Sequence, residues 1–480
     1  MVFNSLLFAL FLPIVFLLYW FIFKRNAITQ NILLLLASIV FYLFADWKFI
    51  GLLAISGFAN YYIAKGIFNQ KEGLKRKLFY YSGLFFNIGL LLYFKYFNFF
   101  IDSFVSLFNF MGSNISFTPF HILLPLGISF FTFQMIGYLV DVNNEEIEPS
   151  NNLLCFFTYL FYFPKILSGP IERVQKFIPQ IQEKRTFDYN LAIDGMKQFL
   201  WGLFKKLVIA GNLSSTVNLI FGATSRFDSV TLIFGAILFV IQLYADFSGY
   251  SDMACGVSKL FGIKIINNFH FPFFSTNISE FWKKWHISLT SWLMDYIFTP
   301  LSFILRSYKK WGLIISSIIT FLLVGIWHGA NWTFIIFGLL HGIFFIPLII
   351  RNKMNVSTKN NNTFFGSINS LIKGLFLFLL ISLTAVLINS DNLTAAIEMY
   401  KNIVTNLKIN IIPEIPKRDF IIMPFVALMF LLEWFHKDKE YGFDLFFIRT
   451  KFIRILFYLL ILLFTFFLRV DADAFIYFQF

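Results

Sequence analysis

Residues 312–350 read GLIISSIITFLLVGIWHGANWTFIIFGLLHGIFFIPLII. The stretch contains no Asp, Glu, Lys or Arg, and only Gly329, Ala330 and Asn331 separate two apolar runs, 312–328 and 332–350. A helix rises about 1.5 Å per residue, so each run reaches about 25–28 Å. That is close to the hydrocarbon thickness of a bilayer, about 30 Å. Runs of this kind recur along all 480 residues, of which 58% are hydrophobic and 14% charged, with a mean hydropathy of +0.73. A soluble chain carries about 25% charged residues, and a transmembrane barrel shows short alternating strands that are absent here. The fold class is an all-α polytopic membrane protein.

Working outward, candidate spans fall at 4–23, 31–45, 49–64, 79–94, 97–110, 121–140, 153–163, 197–220, 229–248, 312–328, 332–350, 371–389, 419–434 and 452–468. Several are short, so about ten to twelve true crossings are expected, the rest being re-entrant or interfacial. The first run ends in Lys24-Arg25 without a small-residue cleavage site and is too long for a signal-peptide core, which predicts a retained helix. No fixed-period repeat is visible, which weakens a transporter-type inverted repeat. The net charge of +13 is concentrated in loops such as 65–77 and 437–454. Positive-inside topology accounts for that distribution without nucleic acid. It places those loops in the cytoplasm and both the N-terminus and Tyr477 outside, with Arg469 snorkelling from a helix end. Segments 352–366 and 403–418 read as surface connections. Cys155 and Cys255 read as small buried hydrophobes.

The stretch 244–332 departs from ordinary membrane filler. It opens YADFSGYSDMACG (244–256), continues through FWKKWHISLTSWLMDY (281–296), and reaches GIWHGANW (325–332) after one more span. Ionisable residues at membrane depth are costly and face a bundle interior or a wet cavity. Asp246 and Asp252 are candidates for helix-terminal acceptors or partners of nearby lysines, with Asp252 also a candidate for substrate contact. His286 and His328 each follow a tryptophan. Imidazole, with an unperturbed pKa of about 6.5, suits proton transfer near neutrality, although a buried histidine is as often a packing residue. His341 stands in the next span as a candidate supporting group. His121, His270 and His436 read as span-end or loop residues.

FWKKWHISLTSWLMDY followed by GIWHGANWTFIIFGLLHG resembles the double-histidine signature of the membrane-bound O-acyltransferases. It is most similar to the bacterial branch that O-acetylates alginate. Agreement in order extends through FNSLLFALFLPIVFLLYW (3–20), PLGISFFTFQMIGYLVDV (125–142), YFPKILSGPIERVQKFIPQI (162–181) and YADFSGYSDMACG. One departure is Met294, where an Arg often precedes the Asp of the family pattern. The resemblance implies a ring of helices around a central tunnel, with residues 1–450 as the membrane core and 451–480 as a closing transmembrane helix that carries an outward aromatic motif. It implies His328 as the principal catalytic histidine and His286 as the second motif histidine, and it matches His341 to a frequent later histidine without assigning it a role, so His341 stands as a substrate-binding candidate only.

These expectations combine into one reading. An acetyl group passes from a cytoplasmic thioester, acetyl-CoA, to a cell-envelope polysaccharide, either peptidoglycan or an alginate-like exopolysaccharide. No bound cofactor or metal is expected. The setting is the cytoplasmic (inner) membrane of a bacterium, in contact with membrane lipid, and the partner is an extracytoplasmic SGNH-type O-acetyltransferase. Lys283 and Lys284 either line the donor side or mark topology. The closing FIYFQF (475–480) fits a Phe-x-Tyr-x-x-Phe pattern similar to that of small partners in D-alanyl transfer. Tyr477 is accordingly expected to relay the acetyl group, the alternative being an interfacial aromatic anchor. Competing functions are D-alanyl transfer to teichoic acid and, in a different class, a flippase for lipid-linked sugars.

Overall fold

The computed structural model describes residues 1–112, 122–354, 364–407, 413, 417–445 and 448–470. Every regular element among them is helical. The bilayer supplies no hydrogen-bond partners, and a helix satisfies its own backbone. Six helical segments among the described residues are long and apolar enough to cross a membrane: Ala27–Asn69, Leu74–Phe110, Ser229–Leu260, Lys310–His328, Trp332–Ile350 and Ile368–Asn389. Shorter apolar helices lie at Leu6–Ile22 and Phe420–Phe435. The chain is therefore a multi-pass membrane protein. A single helix of 43 residues, the length of Ala27–Asn69, would reach about 65 Å, twice the hydrocarbon thickness. Asp46 leaves helical geometry (φ −159°, ψ 74°) and divides that segment into Ala27–Asp46 and Ile50–Asn69.

The chain forms two compact units, one of residues 1–193 with 257–265, the other of 194–256 with 266–480. In the first, apolar helices are joined by a few buried polar clamps. Arg185 donates through Nη2 to Asn31 Oδ1 (2.8 Å) and through Nε to the Tyr19 hydroxyl (2.7 Å), and Gln30 donates to its carbonyl (3.0 Å). Asn60 and Asn87 exchange side-chain hydrogen bonds of 3.2 and 2.7 Å between neighbouring helices.

The second unit holds the polar stretch, apart from residues 257–265, and the five histidines among the described residues. Its helix Ser229–Leu260 runs 32 residues, past the expected end at 248, so YADFSGYSDMACG is helical and not a loop. Gly249 lets this helix cross the neighbouring one closely. A Cβ there would lie 2.7 Å from the Gly202 carbonyl, and one at Gly202 would lie 2.5 Å from the Gly249 carbonyl. Two backbones pass where a side chain cannot stand.

A second close crossing joins the helix Lys310–His328 to Trp332–Phe344. The run from Gly325 to Gly329 and the run from Gly338 to Gly342 each space two glycines by four residues, the pattern that lets membrane helices approach. A Cβ at Gly325 would strike the Phe334 carbonyl, one at Gly338 the Phe321 carbonyl, and one at Gly342 would come within 2.9 Å of Ile318 Cα. The pair is antiparallel, and Lys310 Nζ closes its far end on the Ile350 carbonyl (2.7 Å). Gly338→Leu should therefore destabilise the full chain by about 1–3 kcal/mol or more through overpacking. Thermal unfolding in detergent measures this, and an unchanged midpoint contradicts the crossing.

Candidate active site

His328 is the last residue of its helix, and the glycine seam fixes its place. It is 4% exposed. Gly329 follows because any Cβ there would collide with the Phe334 ring, and Asn331 then caps the next helix by accepting from Thr333 N (3.1 Å). The Phe337 ring stands edge-on to the His328 imidazole at 5.8 Å, and Phe334 lies parallel at 6.3 Å.

His286 occupies the joint between the short helices Ile278–Lys284 and Ile287–Leu293. Its backbone is left-handed (φ 44°, ψ 55°), an uncommon state for a residue with a Cβ, maintained only where the surroundings enforce it. Asn268 enforces it here. The Asn268 carbonyl accepts from Ile287 N (2.8 Å) and its Oδ1 from Ser288 N (3.2 Å). His286 is 1% exposed, with Phe247 edge-on at 4.7 Å and Trp327 at 5.2 Å. Trp327 also lies 5.1 Å from His328, so one indole stands against both imidazoles. Burial, reinforced by the nearby His328, holds the His286 pKa well below the usual imidazole range. It is neutral at pH 7.

His341 is placed otherwise. Trp282 Nε1 donates to its Nδ1 at 3.2 Å. An indole nitrogen can only donate, so the His341 proton sits on Nε2, which faces Thr384 Oγ1 at 3.2 Å. Both nitrogens are engaged, which suits His341 to holding Trp282 in place more than to touching substrate. Beside His328 and His341 lies a small apolar chamber of about 20 Å³, walled by those two residues, Trp282, Trp285, Phe337 and aliphatic side chains of helices Ser229–Leu260 and Ile368–Asn389.

A separate polar cluster lies on the helix Ser229–Leu260. Lys205 pairs with Asp252 Oδ2 (2.6 Å) and donates to Ser248 Oγ (2.8 Å), and Lys206 pairs with Asp246. Gln198 donates to Asp252 Oδ1 (2.9 Å) and Asn267 Oδ1 (3.0 Å), while the Tyr244 hydroxyl donates to the buried Glu433 (2.9 Å). Both Asp252 oxygens thus have protein partners, and Asp252 faces a small polar cavity of about 10 Å³ that Lys205, Asn267, Asn268 and Tyr441 also line. Lys284 bonds Glu280 (2.9 Å), and Lys283 is exposed. His436 is buried between the Leu432 carbonyl (2.6 Å) and the Asp444 carbonyl. Tyr477 and His121 lie outside the described residues.

The structure thus brings His286 and His328 to one indole and gives His341 a neighbouring post. Asp252 sits with the lysines, apart from the histidines. The lysine partners expected for Asp246 and Asp252 are Lys206 and Lys205, which the sequence reading did not name, and it passed over Trp282, Thr384 and Glu433. The lysine doublet was the available signal, since two charges inside span 197–220 require counter-charges, and Asp246 and Asp252 supply them.

Residues 144–389 match the membrane-bound O-acyltransferase family. The chain is 36% identical over 410 residues to a protein of Azotobacter vinelandii named "Probable alginate O-acetylase AlgI", covering 83% of this chain and 77% of that one. It is 33% identical over 433 residues to the peptidoglycan O-acetyltransferase of Helicobacter pylori, covering 84% and 80%. A teichoic acid D-alanyltransferase of Bacillus subtilis is 33% identical over 240 residues, covering 47% and 59%.

Asp252→Ala leaves the Lys205 ammonium buried without its carboxylate, which should cost about 3–5 kcal/mol of stability. Replacing both members by apolar residues of similar volume, Lys205→Met with Asp252→Leu, should recover most of that loss. Denaturation of the purified chain measures both, and equal instability of the single and double variants contradicts the pairing.

Proposed function

The chain belongs to the membrane-bound O-acyltransferase family, and from that premise we propose that it moves an acetyl group from a cytoplasmic thioester, acetyl-CoA, to a polysaccharide of the bacterial cell envelope. Relatives matched over more than four-fifths of this chain are named for alginate and peptidoglycan O-acetylation, whereas the D-alanyltransferase matches less than half of it. That difference favours acetyl over D-alanyl. The observation that carries the reading is the pair of buried imidazoles, His286 and His328, against Trp327.

In this reading His328 is the general base. It takes the proton from an attacking hydroxyl while that oxygen adds to the thioester carbonyl carbon. The C–S bond then breaks, and His328 returns the proton to the departing sulfur, so CoA leaves as a thiol and no net proton is consumed. His286, neutral through burial, donates an N–H to the carbonyl oxygen as charge develops there, the role of a preorganised donor. The left-handed joint at His286 keeps that donor aimed. The first attacking hydroxyl is the phenol of Tyr477. With a pKa of about 10 it is easier to deprotonate than a sugar hydroxyl, and its ester is correspondingly activated. The acetyl group then passes from Tyr477 to a serine of an extracytoplasmic SGNH-type partner, which acetylates the glycan. The chain acts in the cytoplasmic membrane.

His328→Ala should lower acetyl transfer by about 10²-fold or more with protein level and acetyl-CoA binding retained. Turnover equal to the parent overturns the assignment. Tyr477→Phe keeps the ring and removes the oxygen. Glycan acetylation should collapse in this variant while the protein persists in the membrane, and full acetylation leaves Tyr477 as an anchor only.

A further inference from the structure

From the apolar chamber beside His328 we infer that this protein selects its acyl group by size and by lack of charge, accepting a two-carbon acyl chain and rejecting both longer chains and aminoacyl groups. The inference rests on the acyl-transfer reading above and deepens it, because it assigns the space that the acyl tail enters.

If His328 serves the attacking hydroxyl, the thioester carbonyl must lie next to its imidazole. The space at that imidazole is the chamber, bounded by Val240 and Leu243 on one helix and by Ile381, Ala385 and Ile388 on another. Those five side chains are all buried. At about 20 Å³ it exceeds the about 10–15 Å³ that one water-sized group needs, and not by much. A methyl group fits. Each further methylene has to displace close-packed side chains, and discrimination of about 10- to 200-fold per methylene is what such a wall supplies.

The lining also sets the charge. No Asp or Glu stands among the described residues that line the chamber, and the nitrogens of His341 already face Trp282 and Thr384. An ammonium on the α-carbon of a D-alanyl group would lose its water there and meet no anion, which is unfavourable. The carboxylates of the neighbouring polar cluster are already held, Asp252 by Lys205 and Gln198, Asp246 by Lys206 and Glu433 by Tyr244.

The test uses membranes carrying the full chain and a series of S-acyl-pantetheines, acetyl, propionyl, butyryl and D-alanyl, alongside the same acyl-CoA thioesters. The readout is thiol release that depends on His328. The parent should consume the acetyl thioester at least about tenfold faster than the propionyl, with butyryl and D-alanyl near background. Ile381→Ala should raise the propionyl-to-acetyl ratio by about tenfold, and Val240→Ala, on a different helix, should raise it too. A parent that takes butyryl or D-alanyl as readily as acetyl overturns the chamber assignment and leaves the acyl-transfer reading standing, as does a ratio that neither variant moves. A parent that releases no thiol from either acetyl donor overturns the acyl-transfer reading and the chamber with it. The parent's own ranking of donors decides the matter even where a variant fails to fold.

Discussion

Two helix backbones in contact, with no side chains between them, set the geometry of this protein's site. Gly325, Gly338 and Gly342 let the segment ending in His328 lie directly on the segment carrying His341. A larger residue at any of these positions pushes the helices apart and moves both imidazoles with them. The seam therefore does more than pack helices. It fixes how far His328 stands from His341 and from the chamber wall, and a shift of about an ångström at such a site costs about 10²-fold in rate.

A second constraint is electrostatic. Buried Lys205, Lys206, Asp246, Asp252 and Glu433 stand in one polar cluster away from His286 and His328. An aromatic partition separates the two zones. Phe269 faces the polar cavity and meets Trp285, which faces the apolar chamber, edge-on at 5.1 Å. Phe247 packs against both Phe269 (5.0 Å) and His286 (4.7 Å). The partition keeps fixed charge from the imidazoles, so burial is the largest influence on His286 and keeps it neutral. A neutral imidazole can accept a proton or donate a hydrogen bond, whereas an imidazolium next to an acyl donor can only donate.

Much of this was legible in the sequence because bilayer thickness and helix rise are fixed lengths. Each expected span that lies within the described residues falls on a helix, and the two apolar runs quoted first correspond to Lys310–His328 and Trp332–Ile350. The helix Ser229–Leu260 outran its hydropathy because Lys205 and Lys206 neutralise Asp246 and Asp252 inside it. Hydropathy reads one segment at a time, and that compensation is made between two. The role of His341 was hidden for the same reason. Its partners Trp282 and Thr384 lie 59 and 43 residues away, and nothing in the local pattern GLLHG announces either. His286 was legible as a motif histidine, but its left-handed backbone was not, because even histidine, which is enriched in that conformation, adopts it only uncommonly.

In the proposed function His328 drives an acetyl group from a thioester onto a hydroxyl of this chain before any glycan receives it. Mass spectrometry of the C-terminal peptide, after incubating membranes with isotopically labelled acetyl-CoA in the absence of a glycan acceptor, tests this most directly. One labelled acetyl group is expected on the peptide containing Tyr477 in the parent, and none when His328 is alanine. An unmodified peptide in a parent that still acetylates glycan, or a peptide labelled equally in the His328→Ala protein, contradicts it.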